Sequence, residues 1–390
     1  MQRYDAAVVG GGLLGCAAAY HLARAGTSVV LFERGQLNRQ ASGQNAGTLH
    51  FQLESRMVEH GDALAEQFAV SLPLVLEAQQ TWRTLEAELG EELEVAQPGG
   101  LMLAETEEQQ SLLERKSALE RRWGLETELL TGDEARSVAP YLAPSVRAAG
   151  WCATEGHANP RLVGPAYARA ATRAGAEIRT ETEVVSLARP SGRWRLGVAG
   201  GDDVEAETML LAAGAWTPRL AAMADYRLPI VPVALSMIAT QRAEPMVAHL
   251  IQHVAARLSM KQAHAGNVLV GGGWPSKLVA HDGVVDLDRR PELRYESLAG
   301  SAAVATRVVP GIARLPVIRA WSGIAAVTAD QVPLLGPLPR RPGLYVATGG
   351  TAFTLGPTLA RLAAELILQG RPSLSLDLYD PARFAHLNPV

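Results

Sequence analysis

The stretch from Asp5 to Glu33 restricts the fold more than any other part of the chain. DAAVVG, Asp5 to Gly10, is a short apolar run of the kind that forms a buried parallel strand. Gly10-Gly11-Gly12-Leu13-Leu14-Gly15 follows, then the small-residue helix CAAAYHLARAG, then a second strand from Ser28 to Phe32 that ends at the acid Glu33. This is a GxGxxG turn in the context that gives it meaning: strand, turn, helix, strand, acid. Gly10 permits the tight turn, Gly12 lets backbone N–H groups approach a pyrophosphate, and Gly15 lets the helix sit close on the sheet. Leu13 and Leu14 open that helix, whose positive end faces the phosphate. Glu33, with Arg34 beside it, is placed to accept hydrogen bonds from a ribose diol. The chain reads as a dinucleotide binder. Cys16 reads as a small apolar residue packed at the helix start.

With 390 residues, the chain is expected to form two domains or one large α/β unit. A formal net charge of −4 argues against nucleic acid as the main partner. Arginine supplies almost all the positive charge, and Lys116, Lys261 and Lys277 are the only lysines, so each merits a reason. Two cysteines, Cys16 and Cys152, form neither a metal-spaced cluster nor a disulfide framework, and no metal is expected. The sequence begins directly on a strand, and no apolar stretch reaches the ~20 residues that span a bilayer. The expectation is a cytoplasmic protein without a transmembrane segment, with peripheral attachment at the inner membrane left open.

ASGQNAGTLH, Ala41 to His50, puts small and polar residues where a simple NAD domain would begin its next helix. Such a loop can follow an extended diphosphate with Ser42, Gly43, Asn45, Ala46 and backbone amides, reaching a flavin with Gly47 and Thr48; an ordinary Asx- and Ser-rich surface loop has the same composition. By itself the segment leaves FAD and NAD open. The chain returns to this unit with a helix from Leu162 to Ala174, a strand from Ala176 to Arg179 and an extended piece through Val184. TMLLAAGAW, Thr208 to Trp216, and GLYVATGG, Gly343 to Gly350, read as further strands of a parallel sheet. TAFTLGP then leads into a helix from Thr358 to Leu368, with Pro357 at its first turn. Gly349, Gly350 and Gly356 allow a flat ring to approach backbone closely.

Taken in order, VVGGGLLG, LFERG, ASGQNAG, EGHANP, TEVVSL, LLAAGAW, WSGIAAVTADQVPLLG and ATGGTAFTLGP make nearly the whole chain resemble the FAD-dependent D-amino-acid oxidase and glycine oxidase type of amine oxidoreductase. The resemblance implies an α/β fold: a Rossmann-like, glutathione-reductase-like FAD-binding domain with a mostly parallel sheet, and a second α+β substrate domain built on an antiparallel sheet. It implies that Val184 contacts adenine through its backbone and that Ala213, Gly214 and Trp216 form a second nucleotide-side motif. It also implies that Gly350, Phe353, Thr354, Leu355 and Gly356 wrap the flavin's pyrimidine edge. Neither cysteine lies where some relatives attach flavin, so non-covalent FAD is implied. The expected boundaries are residues 1–76, 142–227 and 320–390 for the FAD-binding domain, with 77–141 and 228–319 for the substrate domain.

In oxidases of this type the turn after Trp-x-Gly commonly carries an arginine that clamps a substrate carboxylate in bidentate fashion. Here that position is Ala325, followed by Ala326 where proline is usual. Arg257 is a candidate substitute, against the simpler reading of a surface arginine. Thr48, Leu49 and His50 are expected around the pocket, with Met237, Lys261 and His264 from the sheet and Trp321 beside the altered turn. Thr48, His50 and Lys261 are the candidate catalytic residues, Lys261 because a lysine over flavin promotes reaction with oxygen. The reading is oxidation of a C–N bond in an amine, an N-substituted amino acid or an opine-like compound to an imine. Electrons would leave to oxygen, a quinone or a partner protein. Two alternatives stand beside it: a catalytic subunit of a multicomponent dehydrogenase, and a non-catalytic flavin-binding subunit whose substrate pocket has decayed.

Overall fold

Runs rich in Val, Leu and Ala build two eight-stranded sheets among the described residues. A computed structural model describes residues 1–54 and 56–389 of the chain. Ser55 and Val390, within the first and last segments expected for the FAD-binding domain, lie outside the described residues.

The first sheet is ordered Leu334–Pro337, Leu344–Thr348, Val204–Leu211, Gln2–Val9, Val29–Phe32, Glu177–Arg179, with Trp194–Val198 and Val184–Ala188 attached off that path. Its central pairs are parallel: Ala6 lies opposite Val29 on one side and Thr208 on the other, and Met209 lies opposite Leu344. The chain leaves Gln2–Val9, turns through the glycines and enters the helix Leu13–Arg24. That helix packs between Pro160–Arg173 and Gly356–Gln369. Alanines along it (Ala17, Ala18 and Ala19, all fully buried) make the close approach possible.

The second sheet runs Val317–Thr328, Ile230–Arg242, Asn267–Gly271, Ser259–Gln262, Leu250–His253, Gly100–Ala104, Ala148–Cys152, Glu128–Thr131. It is antiparallel except where Leu250–His253 runs parallel to Gly100–Ala104. One face of it, with Ile238, Met260, Val268 and Val270, packs beneath the helix Tyr295–Val308.

The sheets and their cores cut across three of the expected boundaries. Ala148–Cys152 and the strand through Thr328 belong to the second sheet, although they fall in ranges assigned from sequence to the first unit. Both are apolar strands that either sheet would accept, and only their partners decide between them. The helix Leu72–Leu89, mostly inside the range expected for the substrate domain, buries Trp82 and Leu85 in the same core as the glycine-turn helix. Among the described residues no helix is long and apolar enough to cross a membrane.

Candidate functional site

Gly10 leaves the first strand with φ of 118°, where a side chain is strained, and a Cβ there would press on the Ala212 carbonyl. A Cβ on Gly15 would collide with the Gly10 carbonyl oxygen. The two glycines thus fix how closely the helix approaches the turn. No side chain caps this helix at Gly12, and the Leu13 N–H donates to Ser42 Oγ at 3.0 Å. The Glu33 carboxylate accepts from the Gly11 N–H at 2.7 Å and from the Gly35 N–H at 2.9 Å, which fixes it at the rim of the turn.

Above this turn lies a cavity that opens to solvent. Gly10, Gly11, Gly12, Leu14, Glu33, Arg34 and Ser42 line one side, and Val184, Ala213, Gly214, Trp216 and Gly349 line the other. Ile324 and Ala326 of the second sheet close it from above. The positive end of an uncapped helix, a bare glycine cradle and a carboxylate at the rim suit a dinucleotide. Gly11, Thr182, Thr348 and Ala352 also line this space, and sequence reasoning missed them. Gly11 sits inside the motif, while the others are ordinary residues that only the returning strands bring near.

Other residues named from sequence act one layer back. Leu13 is buried against Gly356. Asn45 spans its own loop, donating to the Ala41 and Ser42 carbonyls and accepting from the Gly47 N–H. Gly43 abuts the Asn38 carbonyl, Ala46 is buried, and Gly350 stands in open space. Phe353 packs against Trp82, and Leu355 caps the start of the helix Gly356–Gln369.

Gly15→Ala is expected to destabilise the protein by about 3 kcal/mol and to leave it colourless, because the added methyl must push the helix off the turn. Thermal unfolding together with the FAD content per purified chain measures both effects.

A second cluster forms around residues 47–50. Gly47, at φ of 71°, lies against Ala158, and its carbonyl accepts from the Ala158 N–H at 2.8 Å. The Ala158 carbonyl in turn accepts from Lys261 Nζ at 3.0 Å. Thr354 Oγ1 donates to the Thr48 carbonyl and accepts from the His50 N–H, both at 3.3 Å. This ties the C-terminal glycine segment to the same backbone. His50 Nε2 lies 3.1 Å from Ser259 Oγ, while its Nδ1 is buried without a partner. Lys261 is 3% exposed, and burial pushes its ammonium down to about 7.

Strand register supplies the wall facing this cluster. Trp321 pairs with Met237, and Met237 lies across Gly271, which pairs with Ser259. One step along, Arg319 pairs with Ala239, Ala239 with Leu269, and Leu269 with Lys261. Directly paired residues share a face, so Trp321, Arg319, Met237, Leu269, Ser259 and Lys261 all project the same way. Leu235, Met237, Leu269 and Trp321 are only half-buried, and none packs into a core cluster among the described residues. The Trp-x-Gly motif gains a local reason here. Trp321 Nε1 donates to the Gln44 carbonyl at 2.7 Å, and the bare Gly323 leaves room for the Gln44 side chain. Both residues seat the second sheet on the short helix Ala41–Gln44.

Three sequence expectations are overturned at this site. Ala325 lies inside the strand Val317–Thr328, opposite Val233, and not in a turn. His264 is exposed in the hairpin turn between Ser259–Gln262 and Asn267–Gly271 and lines a separate surface cavity with Glu94 and His157. Leu49 is fully buried in the core, because strand alternation turns it away from the side that Thr48 and His50 share. Arg257 is exposed with its guanidinium over Trp274, which lies against Gly300, so it does not replace an arginine at Ala325. Both thiols are buried and pushed up to about 12 by that burial, unsuited to redox work.

Sequence reasoning also missed a buried ionic group behind the cluster. Lys116 Nζ lies 2.7 Å from Glu120 Oε1 and donates to Gln52 Oε1 at 2.9 Å. Glu155 accepts from the Phe51 and Gln52 N–H groups at 2.9 Å, and Glu120 accepts from the Leu53 N–H at 2.7 Å. Lys116, Glu120 and Glu155 are all 0% exposed, and burial raises the Glu120 carboxyl above its ordinary value. Their hydrogen bonds fix the backbone immediately after His50.

A glycine-turn cradle closed by a second, largely antiparallel sheet defines the class of two-unit dinucleotide-dependent oxidoreductases. More particularly, the chain belongs to the DAO family of FAD-dependent oxidoreductases, which it matches over residues 5–366. FAD is therefore its cofactor. The chain is 31% identical to the glycine oxidase of Geobacillus kaustophilus (strain HTA426) over 405 residues, covering 100% of this chain and 99% of that protein. It is 24% identical to an opine oxidase subunit of Rhizobium meliloti, covering 98% of each. The crystal structure of glycine oxidase from Geobacillus kaustophilus aligns with a TM-score of 0.86 at 27% identity, covering 98% of this chain and 99% of that one.

Proposed function

We propose that the protein oxidises the C–N bond of a secondary or otherwise N-substituted amine, such as an N-alkyl amino acid or an opine-like compound, to an imine. The observation that carries this reading is the wall of Leu235, Met237, Leu269 and Trp321, half-buried apolar side chains outside the core clusters that share their face with Lys261. An unfilled apolar wall suits a hydrophobic substituent on the substrate. At Ala325 a methyl group stands in place of the guanidinium that usually clamps a small amino acid's carboxylate, and the arginine that does share this face, Arg319, lies over the Trp321 ring.

FAD, bound without a covalent link, supplies the two-electron acceptor. The protein's own share is to bind and orient. The glycine turn and Ser42 would hold the diphosphate, and Glu33 the ribose. Residues 47–50, held between Ala158 and Thr354, would position the substrate side of the site. The unpartnered His50 Nδ1 offers one polar contact to a bound amine, with Ser259 holding the other ring nitrogen. Lys261, poised near neutrality, supplies a positive charge that switches with pH. The imine is released to hydrolyse in water.

The electron acceptor is oxygen in this reading, because of Lys261. A second reading, in which the chain is the catalytic subunit of a multicomponent dehydrogenase, draws support from the full-length similarity to the opine oxidase subunit of Rhizobium meliloti. Kinetics on N-butylglycine and glycine, with oxygen and with a dye acceptor, test the proposal. A kcat/KM for the butyl compound higher by about 100-fold or more is expected, since one methylene in an apolar pocket is worth about 10-fold or more. Equal or reversed preference would refute it. Turnover with dye alone would favour the dehydrogenase.

A further inference from the structure

Between Trp274 and Arg290 the chain leaves the second sheet and reaches across to the nucleotide unit. Leu278 and Leu287 pack against the core beneath the parallel strands, and a small hairpin, Ala280–His281 with Val284–Val285, lies between them. Asp288 follows directly. Its Oδ1 lies 2.6 Å from Arg34 Nη1 and accepts from Trp216 Nε1 at 3.1 Å, and its Oδ2 lies 3.4 Å from Arg219 Nη1. Arg34, Trp216 and Arg219 all line the nucleotide cavity, and the Arg34 guanidinium stands over the Trp216 ring at 4.7 Å. One carboxylate from the substrate unit therefore gathers three groups of the cavity wall near Glu33.

We propose that Asp288 is a cofactor-retaining residue: by holding Arg34 on Trp216 and drawing in Arg219, it straps the Glu33 end of the cavity and slows dinucleotide release. A stacked, hydrogen-bonded arginine keeps a fixed position that a free one does not. Arg34 is the residue next to the expected ribose ligand, so its position shapes the rim through which FAD leaves. The leucine anchors on either side of the hairpin make the strap continuous with the nucleotide core. Substrate identity plays no part in this, so the inference stands apart from the proposed reaction.

The test is the rate of FAD release from the holoenzyme after dilution, followed by the rise in free flavin fluorescence. Thermal unfolding of the FAD-free protein is recorded alongside it. Asp288→Ala is expected to release FAD about tenfold faster at low salt, the order expected when three partly exposed contacts go together. Asp288→Asn keeps an acceptor for Trp216 but no charge for the arginines, and should fall between. The difference from the unaltered protein should shrink as salt is raised, because screening weakens the arginine contacts in the unaltered chain. Unfolding of the FAD-free protein should stay unchanged. Release at the unaltered rate in both variants overturns the proposal, and so does faster release matched by an equal loss of stability without FAD. Should Asp288→Ala not fold, Asp288→Asn and its salt dependence decide the matter.

Discussion

Lys261→Met is expected to lower oxygen consumption on the order of 10²-fold while leaving amine-driven reduction under anaerobic conditions within several-fold. Methionine fills the same space, so the variant removes a buried charge together with its hydrogen bond to the Ala158 carbonyl. The pH dependence has a definite sign. Burial sets the Lys261 ammonium at about 7, so its charge, and with it oxygen reactivity, is lost as pH rises through about 7. The variant should lack that inflection. Stability moves the opposite way. The unfolded lysine titrates near ~10.4, so between about 7 and ~10.4 the unfolded chain binds the extra proton. This residue's contribution therefore rises with pH across that window and is absent in the variant. Stopped-flow oxidation and equilibrium unfolding against pH separate the two effects; an unchanged oxygen rate with an unchanged inflection would remove Lys261 from the reaction.

Lys116→Met is expected to destabilise the fold by about 3–5 kcal/mol, because it leaves the buried Glu120 carboxyl group without its cation. The loss should be smaller at acidic pH. Glu120 is already raised by burial, and without Lys116 it rises further, so the folded variant binds a proton that the unfolded chain releases. Stability of the variant then falls as pH climbs above the ordinary carboxyl value of ~4.3. Adding Glu120→Gln, which removes the stranded charge, should recover part of the loss. Urea unfolding at pH 5 and pH 7.5 reads both. A single substitution costing under about 1 kcal/mol would mean that the group is dispensable. The same network holds the N–H groups of Phe51, Gln52 and Leu53, so activity should fall in parallel with any shift of the preceding His50.

The nucleotide half of the molecule was legible because its signals are local. Gly15 is required by the Gly10 carbonyl five residues before it and Gly10 by its own positive φ, and the acid and strands around them follow in sequence order, although Ala212 and Ser42, which crowd Gly10 and Gly12, come from elsewhere in the chain. The substrate half was legible as strands but not as a site. Which side chains share a face depends on the register of four strands brought from residues 230 to 328, and no local pattern encodes that register. His264 and Leu49 were misplaced for this reason: a hairpin turn and one step of alternation moved them out of reach. The scarcity of lysine proved informative. Two of the three, Lys116 and Lys261, are buried in polar settings where a compact ammonium fits, and only Lys277 is exposed. Asp288 carried no signal at all, because its partners come from the other unit.

The account rests on FAD held in the glycine-turn cavity and reduced by an N-substituted amine. The most direct measurement is the visible absorbance of the FAD-loaded protein under anaerobic conditions during addition of N-butylglycine. Bleaching of one flavin per chain by the amine is the predicted result; a flavin that stays fully oxidised with every amine, or a chain that takes up no FAD, would contradict it.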